Sequence, residues 1–181
     1  MRVLVVYESM FGSTRRIAEA IAEGIGGDAT VVRAADAGAA ADPGTLDLLV
    51  VGAPTHVHGL PRPSTRSGAP EQADPDGSGL VLEPGADTAP GVREWLDSLS
   101  DLPVPAAAFD TRVDGPAAFT GRASRSIAKG LARHGVIPAA PAESFLVDRH
   151  AVLLPGELDR ARSWGARLAE LASTGPAARR R

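Results

Sequence analysis

Two short runs, Val3–Tyr7 and Leu46–Gly52, constrain this chain more than any other feature. Both are β-branched or leucine-rich and almost wholly apolar. That pattern suits strands buried on both faces, as in a parallel sheet. The first run leads through Glu8–Gly12 into a helical pattern. Ile17, Ala18, Ile21, Ala22 and Ile25 recur on one helix face, and Gly24, Gly26 and Gly27 read as its stop. Ala29–Arg33 reads as a second strand, and residues 34–45 as a poor helix or loop.

The alternation continues downstream. Val92, Trp95, Leu96 and Leu99 stripe a helix with Pro90 in its first turn. Val104–Phe109 reads as the fourth strand. A helix over about Arg122–His134 turns Ile127, Ala128, Leu131 and Ala132 inward, with Gly135 as terminator. A fifth strand is expected within Val136–Val147, interrupted by Pro138 and Pro141. Leu158, Ala161, Trp164, Leu168 and Leu171 share a face of the last helix. Strands alternating with helices give a three-layer α/β fold. It is a doubly wound five-stranded parallel sheet, and this length suits the order 2-1-3-4-5. A ligand is then expected at the carboxyl ends of strands 1 and 3.

The chain has 181 residues, enough for one domain able to bury roughly 70% of its unfolded surface. We expect a single domain over 1–175 and a frayed basic tail over 176–181. One connection is too long for a minimal fold: Ala53–Pro90 holds seven prolines and five glycines. Its part from about 61 to 90 reads as a loop insertion, with 67–90 as a flexible excursion. No apolar run approaches the ~20 residues of a membrane span. Nothing resembling a signal peptide precedes the first strand, so the expected location is cytoplasmic. Cysteine is absent, which removes disulfides, thiol nucleophiles and cysteine-bound clusters.

Net charge is −3, which gives no overall attraction to nucleic acid. With 18 arginines, one lysine and no asparagine, the coding is GC-biased, and single arginines carry little functional weight. Arg122, Arg125, Lys129 and Arg133 nevertheless fall on one helix face. No aromatic residues interleave them, so an acidic protein fits that face better than nucleic acid.

Three segments carry chemistry. Ser9-Met-Phe-Gly-Ser-Thr14 joins a buried strand to a helix N-terminus. Unpaired N–H groups, hydroxyls and a glycine there suit a phosphate, without the Walker lysine or the three-glycine dinucleotide fingerprint. The same residues also make an ordinary helix cap. Gly52-Ala-Pro-Thr-His-Val-His-Gly-Leu-Pro61 leaves the neighbouring strand. Its His-x-His spacing offers two metal ligands but no third. Phe109-Asp-Thr-Arg-Val-Asp-Gly115 is expected to follow strand 4 as a loop.

Tyr7–Ala18 resembles the phosphate loop of flavodoxin-like FMN proteins, commonly Ser/Thr-x-Thr-Gly-x-Thr. Ser9, Gly12 and Thr14 match. Phe11 departs from the usual threonine and resembles the flavodoxin-like domain of flavodiiron proteins. Ala53–Leu60 is similar to their second FMN loop. The resemblance implies noncovalent FMN, its phosphate held by Ser9, Met10, Phe11, Gly12, Ser13 and Thr14. Pro54, Thr55, His56, Val57, His58 and Gly59 would line one side of the ring. Asp110, Thr111, Arg112 and Asp114 would approach the other side or the pyrimidine edge. The stacking aromatic of small flavodoxins is missing, leaving His56, His58 or Phe119 as substitutes.

The implied function is electron transfer or FMN-dependent oxidoreduction. A separate redox protein, or a small donor or acceptor such as NAD(P)H or quinone, would be the partner. One alternative is a quinone- or protoporphyrinogen-type reductase whose own pocket is roofed by residues 60–90. Another is a non-redox binding module that has lost FMN. Arg112 with His56 or His58 would favour the reduced ring and raise its potential.

Overall fold

The computed structural model describes residues 1–38, 45–56, 58–73 and 80–174. Val57, the basic tail and parts of the 34–45 and 61–90 segments therefore lie outside the described residues. Six strands form one sheet: β1 (Arg2–Tyr7), β2 (Asp28–Arg33), β3 (Leu48–Pro54), β4 (Pro105–Val113), β5 (Ile137–Pro138) and β6 (Glu143–Val147). All ladders are parallel, in the order β2-β1-β3-β4-β5. β6 pairs with the outer half of β4. The fifth position is thus one interrupted strand, since Pro138 and Pro141 cannot donate to a ladder. The fold is flavodoxin-like.

The register sets the site. Tyr7 stands opposite Gly52, and Pro54 opposite Thr111, so β1, β3 and β4 end close together. β4 is longer than its sequence pattern predicts. Phe109–Val113 continue the strand rather than forming a loop, because β6 pairs residue for residue with them. Polar Asp110, Thr111 and Arg112 hid this extension from an apolar-run criterion.

Helices cover both faces. On one side lie α1 (Ser13–Ile25) and α7 (Glu157–Thr174). Gly24 is inside α1 and does not stop it. A side chain there would overlap the backbone of Arg162, and one at Gly165 would overlap that of Ile21. Two glycines thus let the helices approach backbone to backbone. Beneath them Phe109, Phe145 and Trp164 pack edge to face, with centroids 6.1–6.4 Å apart. Each such pair adds about 0.5–1.5 kcal/mol beyond burial. Leu171, expected on the inward stripe, is exposed.

On the other face lie α4 (Val92–Ser98) and α6 (Ala123–Ala132), above a core that includes Leu49, Val51, Trp95, Leu96, Ile127 and Leu131. Ala128 and Ala132 of α6 are exposed rather than inward. Pro90 stands outside α4, which begins after Gly91. Two one-turn helices, α2 (Pro63–Arg66) and α3 (Ala69–Gln72), belong to the insertion; α5 (Ala117–Thr120) precedes α6.

The described parts of the insertion pack onto the core. Arg66 is 3% exposed and bonds Glu8 at 3.4 Å and Glu94 at 2.9 Å. Burial pushes the Glu8 carboxyl up, against the lowering effects of the Val92 N–H and Arg66. Burial also opposes ionisation of Glu94, but bonds from Arg66 and the Gly91 N–H outweigh it and hold that carboxyl low. Ala69 and Ala86 are buried, and the Glu83 N–H donates to the Met10 carbonyl at 2.7 Å.

Candidate functional site

The loop after β1 turns tightly at Gly12, whose φ of +87° disfavours any residue with a Cβ. The Gly12 N–H donates to Ser9 Oγ at 3.1 Å, which fixes the turn. Ser13, Thr14 and Arg15 form the first turn of α1, where N–H groups have no intrahelical acceptor. Ser13 and Thr14 are also tied outward. Ser13 Oγ donates to the Ala151 carbonyl, and Thr14 Oγ1 pairs with Thr111 Oγ1 at 2.7 Å. The two threonines share one bond, so one hydroxyl hydrogen remains to donate elsewhere.

The second loop is braced on both sides. The Thr55 N–H donates to the Thr111 carbonyl at 2.8 Å, and Thr55 Oγ1 accepts the Ala123 N–H at 2.9 Å. Reciprocal backbone bonds between His56 and Gly59, at 2.8 and 3.0 Å, close a narrow turn. His58 has φ of +69°, a strained value for a side-chain-bearing residue. Its backbone lies against Gly121, where a Cβ would overlap it. Burial lowers the His56 pKa below its usual 6.5, so this imidazole is neutral at pH 7.

A cavity of about 290 Å³ opens between these loops. Met10, Phe11, Ser13 and Thr14 of the first loop line it, with Pro54, Thr55 and His56 of the second. Thr111 and Arg112 come from β4. Ser9 and Gly12 shape the loop beneath. The other expected contacts sit elsewhere. Asp110 is fully buried and accepts the Ser124 N–H at 2.8 Å, as a cap for α6. The Asp114 N–H donates to the Val147 carbonyl, and its side chain is not among the lining groups. His58 and Gly59 line a different cavity. Phe119 is 75% exposed and away from the lining, so Phe11 is the aromatic residue at the cavity.

Arg112 does not simply face water. Its Nη1 donates to the Gly115 carbonyl at 2.7 Å and Thr120 Oγ1 at 3.0 Å. Its Nε is buried with no partner among the described residues. A buried orphan donor beside a cavity suits an acceptor supplied by a ligand.

Sequence reasoning missed a fourth wall. Val147, Asp148, Arg149 and Ala151, after β6, line the cavity together with Leu80. Asp148 accepts the Val152 and His150 N–H groups, which lower its pKa. No motif marks this turn; positive φ at Ala151 is visible only in the structure. Glu83 was missed as well. Its carboxylate bonds Arg15 Nε at 2.6 Å and lies beside Gly12.

The residues present fit a bound flavin mononucleotide at one end. Orphan N–H groups, hydroxyls and a glycine turn suit a dianionic phosphate, and the Arg112 Nε suits a ring acceptor. Residues 4–64 match a family model described as the flavodoxin domain. No curated protein sequence matches the chain. Among solved structures, a flavodoxin from the domain Archaea is 20% identical, with a TM-score of 0.64. That match covers 96% of this chain and 99% of the other. A WrbA-like flavodoxin from Agrobacterium tumefaciens is 21% identical over 94% of this chain and 96% of its own, with a TM-score of 0.59. A flavodiiron core from Synechocystis matches at 17% identity and a TM-score of 0.57. This chain covers 96% of itself but 36% of that protein. At such identities the likeness is one of fold. The flavodoxin-domain match over residues 4–64 points to FMN as the cofactor. The chain has a flavodoxin-like fold, and its residues 4–64 match the flavodoxin domain in sequence.

Proposed function

We propose that this chain binds FMN noncovalently and works as a redox protein. The observation that carries this reading is the cradle at Gly12. A left-handed turn presents the N–H groups of a helix N-terminus, beside hydroxyls, to one end of a cavity with an orphan arginine donor. Bound FMN would supply one- and two-electron chemistry. The chain's residues would do the rest. The backbone N–H groups of Ser13 and Thr14 at the α1 N-terminus, with the one free hydroxyl hydrogen of the Thr14–Thr111 pair, hold the phosphate. Thr55 and Thr111 keep the two loops in register. Phe11 and His56 cover the ring, and neutral His56 is a hydrogen-bonding group there rather than a charge. Arg112 donates to the ring and favours added negative charge on it.

The test is an absorbance titration of the purified protein with FMN. A flavin spectrum perturbed on binding is expected. Gly12→Asp strains the turn and places a carboxylate in the cradle, so affinity should fall at least about tenfold. Thr14→Ala should weaken binding several-fold. Unchanged affinity in both variants defeats the phosphate assignment. Arg112→Ala should lower the midpoint potential of bound FMN, read by redox titration.

A second reading, a reductase with its own substrate pocket, is favoured by one observation. His56 lines a second cavity as well as the first.

A further inference from the structure

That second cavity lies between α2, α4 and α6 and measures about 460 Å³. His56, His58, Arg62, Thr65, Arg93 and Ser126 are among its walls. A further space of about 380 Å³ continues from it along α6, sharing Leu60, Arg93 and Ser126, with Lys129 and Arg133 at its side. Sites for small molecules span roughly 300–1,000 Å³. Asp97 is the one carboxylate lining either space.

The arginines here differ from the four that form ion pairs elsewhere in the molecule. Arg15, Arg66, Arg160 and Arg162 each bond carboxylates. Arg93 is half-buried, yet its partners are the carbonyls of Pro61 at 3.2 Å and Leu60 at 2.9 Å. These two bonds fix the plane of the guanidinium and leave Nη1 without a partner among the described residues. A half-buried cation with a free donor at a cavity wall is open to an anionic ligand. Arg62 and Lys129 stand at the rim, with no carboxylate partner among the described residues. Arginine presents a fixed fork that fits phosphate, carboxylate or sulfonate. His56 separates this space from the flavin cavity, and its neutrality leaves the arginines and Lys129 to supply the charge. His58, strained at the mouth, is held in place by the contact with Gly121.

We propose that this cavity is a second binding site, which seats the anionic end of a small organic ligand whose uncharged end reaches His56. The inference rests on the FMN reading for its orientation, since the shared His56 wall would bring the ligand beside the ring. The recognised chemistry is a phosphate, carboxylate or sulfonate group, and the ligand would be the protein's small electron donor or acceptor. A volume of about 460 Å³ suits such a molecule better than an extended chain.

The experiment is calorimetric titration of the oxidised, FMN-loaded protein, whose first loop is then occupied. The probes are pyrophosphate, NADP⁺ against NAD⁺, and 1,4-naphthoquinone-2-sulfonate against uncharged 1,4-naphthoquinone. At least one charged probe should bind more tightly than its less charged counterpart. NADP⁺ over NAD⁺ identifies a phosphate-bearing donor, and the sulfonate over the plain quinone identifies an anionic acceptor. Arg62→Ala and Arg93→Gln should each weaken that probe about tenfold, the loss of one charge-assisted hydrogen bond. The uncharged quinone should be unaffected. Arg167→Ala, on the opposite helix layer, should change nothing. Equal binding of all probes, or charged-probe affinity that survives both substitutions, overturns the proposal. If the protein takes up no FMN, the Gly12→Asp variant, with its first loop disabled, is titrated with pyrophosphate instead. Arg62-dependent binding there supports the second site even as the FMN reading falls, and no binding overturns the second site too.

Discussion

The two helix layers solve the same packing problem differently. On one face, α1 and α7 run long and meet through Gly24 and Gly165, over a cluster of three aromatic rings. On the other, α4 and α6 are short, the core is aliphatic apart from Trp95, and a buried ion-pair network is added. Arg66, Glu8 and Glu94 join the insertion to β1 and α4. Both large spaces outside the proposed flavin cavity open on this second side. The contrast separates a layer joined backbone to backbone from one in which a buried ion-pair network supplements apolar packing and leaves room for a ligand.

The sharpest way to break this contrast is at Arg66. Arg66→Ala leaves Glu8 buried without a counter-charge and should cost about 3–5 kcal/mol in denaturant unfolding. The Glu8 carboxyl is already raised, so it favours folding when protonated. Without Arg66 it should rise further, and the deficit should shrink as pH falls toward 4.5. A deficit independent of pH would mean that packing, not charge, holds this layer.

On the opposite face, Gly165→Ala forces α7 off the Ile21 backbone. We expect a loss of about 1–3 kcal/mol with no pH dependence, read by thermal unfolding at pH 5 and pH 7. If the flavin spectrum stays unchanged after FMN addition to this variant, the scaffold is energetically separate from the site.

His56 gives a smaller, pH-dependent effect. Its folded pKa is depressed, so the unfolded chain binds a proton first as pH drops through 6.5. Stability should therefore decline from pH 6.5 down to the lowered value. His56→Gln should flatten that part of the curve. The smallest expected effect is at Glu83, whose carboxylate lies beside the phosphate cradle. Glu83→Gln should tighten FMN binding a few-fold at low salt, and less at high salt, where exposed charges are screened.

The fold was legible because buried strands are short and apolar, and Val3–Tyr7 and the Leu46–Gly52 run announced themselves. The interruption at Pro138 and Pro141 was legible for the same local reason. β4 was cut short because Asp110 and Arg112 look like loop residues, although their backbone groups are committed to ladders. Arg66 was invisible: among 18 arginines of a GC-biased chain, nothing in the pattern marks the buried one. The loops of the candidate site were readable in type, since a glycine and hydroxyls before a helix carry their own chemistry. The wall from Val147 to Ala151 was not, because only tertiary packing brings Ser13 to the Ala151 carbonyl.

The interrupted fifth strand has a consequence for how this protein meets other chains. A sheet edge normally exposes unpaired peptide groups that can template another strand. Here three of those groups along β6 have partners of their own. Leu146 gives its N–H to Glu157 and receives the Leu154 N–H at its carbonyl, and Arg160 caps the carbonyl of Ser144. Arg160 also lies 4.4 Å above the Phe145 ring, holding its guanidinium against the edge. Alongside, β5 is only two residues long and contains a proline. A crowded cell offers many stray strands, and with Ser144 and Leu146 so engaged this border of the sheet gives them little ladder on which to extend.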